Sequence, residues 1–148
     1  MIVVDASVAV KWFFPEAGAE EAQKVLACAE RLAAPALIRV EVAAAIAGKA
    51  RFNEIHDEDA EAAASLWFRA LDNGVIALFP DEADIGPAVK LALQLKHLLQ
   101  DCLYLALAER IGAKLITADQ NLVGKASGVH ASIRPLLGQS QPDSTRVE

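Results

Sequence analysis

Cysteine is scarce in this chain: Cys28 and Cys102 are the two in 148 residues. Both fall in helical apolar patterns without C-x-x-C or Cys/His spacing. That excludes a disulfide scaffold or a structural zinc site and points to reduced core thiols of a cytoplasmic protein. Aromatic residues are also few, at 5%, although 54% of the chain is apolar. Much of that fraction is alanine, which favours closely packed helices. No uncharged apolar run approaches the ~18 residues of a membrane span, and Asp5 interrupts the opening apolar run, so no signal peptide is expected either. Lys and Arg number 14 against 20 Asp and Glu, a net charge of −6. A broad basic face for nucleic acid is thereby excluded, and a polyanionic substrate would be gripped locally, by a few cations or by metal ions. His56, His97 and His130 sit in polar or boundary positions with no metal-ligand spacing.

The chain length suits one domain with a single core. Its first informative stretch is Ile2 to Phe14. Three apolar residues read as a short buried strand, Asp5 follows at once, and an apolar-periodic helical turn closes on Lys11 and Trp12-Phe13-Phe14. Those aromatics read as core or subunit contacts. An acid where a buried strand gives way to a helix marks the edge at which open α/β sheets bind ligands.

Amphipathic spacing then predicts a helix over Glu20–Leu32 ending at Ala33-Ala34-Pro35, and a second from Ala36 to about Phe52. Glu41 lies on the inner flank of the second helix, whereas Arg39, Lys49 and Arg51 can reach solvent. A helix over Glu58–Leu71, N-capped by Asp57, is expected to bury Ala62, Leu66 and Phe68 or Trp67. It stops at Asp72-Asn73-Gly74. Val75–Phe79 reads as a strand, and Pro80-Asp81 introduces a helix to about Leu95 with Ile85, Val89, Ala92 and Leu93 inward. The acids of its first turn (Asp81, Glu82, Asp84) read as a solvated helix end. Leu98–Ala108 is apolar on most sides, with Asp101 as its one acid. Ala113–Ala118 is a strand followed by Asp119, Gln120–Ala126 a short helix, and Val129–Leu137 an edge strand able to tolerate Pro135. Strands alternating with helices predict a three-layer α/β/α sandwich with a short, mostly parallel central sheet.

Four carboxylates stand out. Asp5 and Asp119 each follow a buried strand, and Glu41 and Asp101 occupy inward-looking parts of helices with no Lys or Arg on the same stripes. Singly, Asp5 and Asp119 read best as helix caps, Asp101 could cap its own helix and Glu41 could snorkel outward. Together they would repel one another unless protonated or bridged by a cation. Oxygen-only ligands suit Mg²⁺ or Mn²⁺, ions able to polarise a phosphodiester and stabilise its leaving oxygen.

The blocks VVDASVAVKWF (3–13), PALIRVEVAAAI (35–46) and QDCLYLALAERIGAKLITAD (100–119), in this order and spacing, resemble the PIN-domain nucleases and, within them, the VapC-type toxins of toxin–antitoxin pairs. The resemblance runs from Ile2 to about Leu137. It implies a nuclease domain over 1–137, followed by a polar tail over 138–148 expected to be disordered. It implies a metal-dependent endoribonuclease blocked by a cognate antitoxin, and a homodimer. Asp5, Glu41, Asp101 and Asp119 match the family's acidic quartet, and Ser7 and Thr117 its small hydroxyl positions. By that match Asp5 and Asp101 hold the principal Mg²⁺, with Mn²⁺ a substitute, while Glu41 and Asp119 complete the shell. Ser7 and Thr117 orient water or a phosphate oxygen, Lys11 meets the RNA backbone with Arg39 or Lys49 as weaker candidates, and cleavage leaves a 5′-phosphate. Ala44 departs from the pattern, where relatives often carry asparagine. Two alternatives remain at this stage. A phosphohydrolase on a similar fold usually carries a second acid two residues after its nucleophilic aspartate, a position held here by Ser7. A catalytically weak PIN domain would bind only RNA or a protein partner.

Overall fold

The computed structural model describes residues 1–136. The opening unit is β1 (Ile2–Val4) and α1 (Ala6–Ala9), continued by a 3-10 turn over Val10–Trp12. After it come α2 (Ala19–Ala27), β2 (Leu32–Pro35), α3 (Ile38–Arg51), α4 (Asp57–Asp72), β3 (Ile76–Phe79) and α5 (Glu82–Leu95). The chain continues through α6 (Leu99–Ile111), β4 (Lys114–Thr117), α7 (Gln120–Ala126) and β5 (Ile133–Pro135). The strands pair in the order β3-β2-β1-β4-β5, and every pairing is parallel. The three-layer α/β/α expectation therefore holds. Leu137 and the tail at 138–148 lie outside the described residues.

Both faces of the sheet are covered, as a parallel sheet requires. Leu115 on β4 joins the main core with Cys102, Leu105 and Ala106 of α6. Ile116, one residue on and so on the opposite face, packs against a smaller cluster of Val8, Ala22 and Leu136. Trp67 ties the first of these layers together. It is fully buried, donates its indole N–H to the Arg39 carbonyl at 3.2 Å, and meets Phe13 edge-on with ring centroids 6.1 Å apart. Trp12, Phe13 and Phe14 all pack on the core.

The helix expected over Glu20–Leu32 ends instead at Ala27, and Leu32–Pro35 forms β2. Alanine's helix propensity is overridden because the segment fills the slot between β1 and β3. Ala33 pairs with Val3 on one side and Ala77 on the other, with no exposed surface left. At α4, His56 rather than Asp57 precedes the helix, and its backbone N–H bonds Asp59 Oδ2 at 3.4 Å. Ala63 and Trp67 face inward there, whereas Leu66 and Phe68 are about half exposed. On α5 the expected inner stripe holds only at Ala92, which packs against the core; Ile85, Val89 and Leu93 are exposed, and Ala88, Leu91 and Leu95 are buried.

The acidic first turn of α5 also differs from expectation. Asp84 is 1% exposed and takes a bidentate pair of bonds from Arg110 on α6, at 2.7 and 3.0 Å. Small Ala88 lets α5 approach α6, and the Asp84–Arg110 fork fixes their register. α6 then ends where Gly112, with φ of 66°, takes the left-handed conformation that stops a helix.

Candidate metal centre

All strands run the same way, so residues following adjacent strands emerge at one edge. β1 and β4 are neighbours with Val4 opposite Ile116, and Asp5 extends their ladder by bonding the Ile116 carbonyl at 3.1 Å. Asp5 and Asp119 are thereby delivered to the same edge.

Asp5 precedes α1 in extended backbone geometry, but its side chain makes no capping bond. Its Oδ2 instead accepts from Ser7 Oγ at 2.6 Å and from Thr117 Oγ1 at 2.8 Å. The same two hydroxyls accept from the backbone N–H groups of Ala118 and Asp119, each at 3.0 Å. Capping is therefore not what the Asp5 carboxylate does, and Ser7 and Thr117 are its holders. At Asp119 the two oxygens divide the work. Oδ1 caps α7 through Asn121 and Leu122, at 3.0 and 3.1 Å, while Oδ2 lies 3.3 Å from His97 Nε2.

Glu41 sits in the first turn of α3, where the helix dipole favours a negative charge. Its Oε1 accepts from the hydroxyl of buried Tyr104 at 2.6 Å. Asp101 sits in the first turn of α6, and its Oδ2 lies 2.8 Å from His97 Nε2. His97, Asp101 and Asp119 each present a donor atom within 4.8 Å of the others.

Asp5 and Glu41 stand outside that tightest trio, yet Asp5 interacts with both Asp101 and Asp119, and Glu41 with Asp5 and Asp101. Burial raises the Asp5 pKa above its ordinary value; the Ser7 and Thr117 bonds oppose this, and Asp101 and Asp119 add to it. Burial likewise raises Glu41, with Asp5 and Asp101 adding to the push and the Tyr104 bond opposing it. Asp101 is raised by burial and by Asp119, against the lowering pull of His97. Among the described residues no Lys or Arg pairs with any of the four. Crowded carboxylates with hard oxygen donors and no Lys or Arg partner fit a divalent cation.

Lys11 is not brought to this cluster. Its amino group bonds the Ala17 carbonyl at 2.7 Å and lies 3.6 Å from Glu16. Lys49 shares Glu16 at 2.7 Å, and Arg39 turns back to Ala36. The residue that sequence reasoning missed is His97. Its i,i+4 spacing from Asp101 was the available signal, hidden because the two do not share a helix. α5 ends at Leu95, Lys96 adopts a left-handed φ of 54°, and α6 starts at Leu99.

The model of the PIN domain family matches residues 2–127. Ribonuclease VapC3 of Pyrobaculum aerophilum is 34% identical over 129 residues, covering 84% of this chain and 93% of that protein. Two solved structures share the fold. A toxin–antitoxin complex from Klebsiella pneumoniae has a TM-score of 0.59 at 18% identity, covering 90% of this chain and 96% of its own. The sarcin–ricin-loop-cleaving toxin VapC20 of Mycobacterium tuberculosis has a TM-score of 0.63 at 16% identity, covering 91% and 100%.

Proposed function

The chain belongs to the PIN-domain family, and from that premise we propose that it is a metal-dependent endoribonuclease, the toxin of a toxin–antitoxin pair. The observation that carries the reading is the convergence of Asp5, Glu41, Asp101 and Asp119 from four separate elements into one electrostatically linked cluster without a Lys or Arg partner. The ribonuclease relative and the toxin-named structural neighbours support the substrate class and the biological role.

The four acids would hold Mg²⁺, with Mn²⁺ as a substitute. Such an ion supplies Lewis-acid polarisation of a phosphodiester and a water nucleophile at neutral pH. The protein's own part is to fix the oxygens. Ser7 and Thr117 clamp one oxygen of Asp5, the Tyr104 hydroxyl fixes Glu41, and the first turn of α7 fixes Asp119. With Ser7 and Thr117 so engaged, their contribution to substrate binding runs through Asp5. To meet an RNA phosphate, Lys11 would have to leave its bonds to Ala17 and Glu16.

The antitoxin is the natural protein partner, since a neighbouring structure is a toxin–antitoxin complex. A homodimer is supported by the exposed stripe Ile85, Val89 and Leu93 on α5, which repeats every helical turn and would be covered by a second copy. No helix among the described residues is long and apolar enough to cross a membrane, and an RNA substrate with two free cysteines supports a cytoplasmic site of action.

Incubating the purified chain with structured RNA and millimolar Mg²⁺ or Mn²⁺ tests the reading. Endonucleolytic cleavage that stops with chelator and with Asp5→Asn is expected. Unchanged cleavage by that variant would sink the catalytic assignment. Turnover of a small phosphate monoester with none on RNA would establish the phosphohydrolase reading instead.

A further inference from the structure

We propose that His97 is a positioning residue that sets the Asp101 and Asp119 carboxylates as a pair, and that it is not itself a metal ligand. The proposal rests on the metal-site reading above. Proximity alone would make His97 a ligand, because it presents a ring nitrogen within 4.8 Å of a carboxylate oxygen of each acid. The other face of the ring decides the matter. Lys125 Nζ lies 3.2 Å from His97 Nδ1 and bonds the Lys96 carbonyl at 2.9 Å. An ammonium can only donate, so Nδ1 must accept and the ring proton belongs on Nε2. That N–H points at Asp101 Oδ2, 2.8 Å away, with Asp119 Oδ2 at 3.3 Å. A nitrogen bearing a proton has no lone pair to offer a cation. To ligate through Nε2 the ring would have to move its proton to Nδ1, directly against the Lys125 ammonium.

The backbone prepares this arrangement. Lys96 takes a left-handed φ of 54°, an unfavourable choice for a residue with a side chain. The bend projects His97 from the end of α5 towards Asp101 on α6 and Asp119 between β4 and α7, where its side chain is 8% exposed. The same Lys96 carbonyl anchors Lys125 from α7. One N–H thus spans an acid within α6 and the acid that caps α7, and a lysine fixes which nitrogen carries it. Groups that orient metal-ligating carboxylates are typically worth about 10–100-fold in metal affinity or activity.

The test uses the full-length protein and Mn²⁺ alone as the probe. Mn²⁺ affinity by calorimetry should fall about 10–100-fold in His97→Ala. It should recover most of the way in His97→Gln, whose amide N–H can stand where Nε2–H stood. Pulsed electron paramagnetic resonance of the bound Mn²⁺ should show no directly coordinated histidine nitrogen in the wild type. Side-chain ¹⁵N NMR of the metal-free protein, assigned with the His97→Gln variant, should report the Nε2–H tautomer. A directly bound nitrogen that disappears in His97→Ala would make the residue a ligand and overturn the proposal, as would an Nδ1–H tautomer. Unaltered affinity in His97→Ala would overturn it too, while leaving the metal site standing. A wild-type protein that binds no Mn²⁺ would instead remove the metal-site reading, and this inference with it.

Discussion

Asp5→Asn should change stability and activity in opposite directions. Asp5 is 5% exposed, and its pKa lies above the ordinary 3.8, with burial the largest cause. A raised folded-state pKa means that the folded protein holds a proton more tightly than the unfolded chain. The charged form therefore costs stability above that raised pKa, and the cost fades as pH falls through it towards 3.8. Asparagine keeps the shape of the side chain. Its carbonyl still accepts from Ser7 and Thr117, and its amide can donate to a neighbouring carboxylate. Relieving a strained functional site of this kind typically returns about 0.5–2 kcal/mol. In a domain of this size that is a Tm rise of roughly 2–6 °C.

Thermal unfolding in chelator at about pH 7.5 and about pH 5 would measure the effect. The variant should be the more stable protein near neutrality, and its lead should shrink on acidification. Saturating Mn²⁺ should then reverse the order. A ligand at 100 times its Kd stabilises the wild type by about 2.7 kcal/mol, and the variant would gain little. A metal-free variant that melts below the wild type near neutrality would refute the claim that this carboxylate is held at a cost.

Tyr104→Phe removes the 2.6 Å bond to Glu41. A bond to a charged acceptor is worth about 1.5–3 kcal/mol, and half-buried Glu41 can recover part of that from water. RNA cleavage should fall about tenfold with the fold intact by circular dichroism, and a full-rate variant would show that Glu41 needs no such support. Lys96→Gly relieves the left-handed φ and should raise stability in urea by about 1 kcal/mol, whereas a loss would mean that the Lys96 side chain matters more than its backbone. Cys102 is fully buried, with its thiol pushed up to about 11 by burial and the nearby Asp101 charge. A thiol reagent applied near neutral pH should modify half-buried Cys28 long before Cys102, and equal rates would contradict this packing.

The sequence revealed most where chemistry and secondary structure coincide. A carboxylate directly after an apolar strand was visible at Asp5 and Asp119 because the strand's apolar run and the acid are contiguous. Glu41 and Asp101 were visible because each interrupts an otherwise apolar helical face. Whatever depends on a partner distant in sequence was hidden. β2 is a strand only because β1 and β3 flank it, and Asp84 looks like a solvated helix end until Arg110 is seen across the α5–α6 contact. On α5 both faces carry large apolar residues, and the side that meets α6 is the one holding small Ala88 and the Asp84 fork, with Leu91 and Leu95 in the core. His97 stands out in no helical pattern, because its partnership with Asp101 is made across the bend between α5 and α6.

The placement of β1 between β2 and β4 also has a bearing on time. Asp5 and Thr117 share a hydrogen bond across 112 residues of sequence. At the ~5–20 residues per second of protein synthesis, the two are made roughly 6–22 s apart. A growing chain that has emerged only as far as α5 carries Asp5 and Glu41 but neither Asp101 nor Asp119. Ser7 meanwhile lacks its Thr117 and Ala118 partners, and β1 has β2 on one side and nothing on the other. Such a chain is half a sheet with half a set of acids. The four acids can therefore come together only after β4 docks beside the strand that was made first.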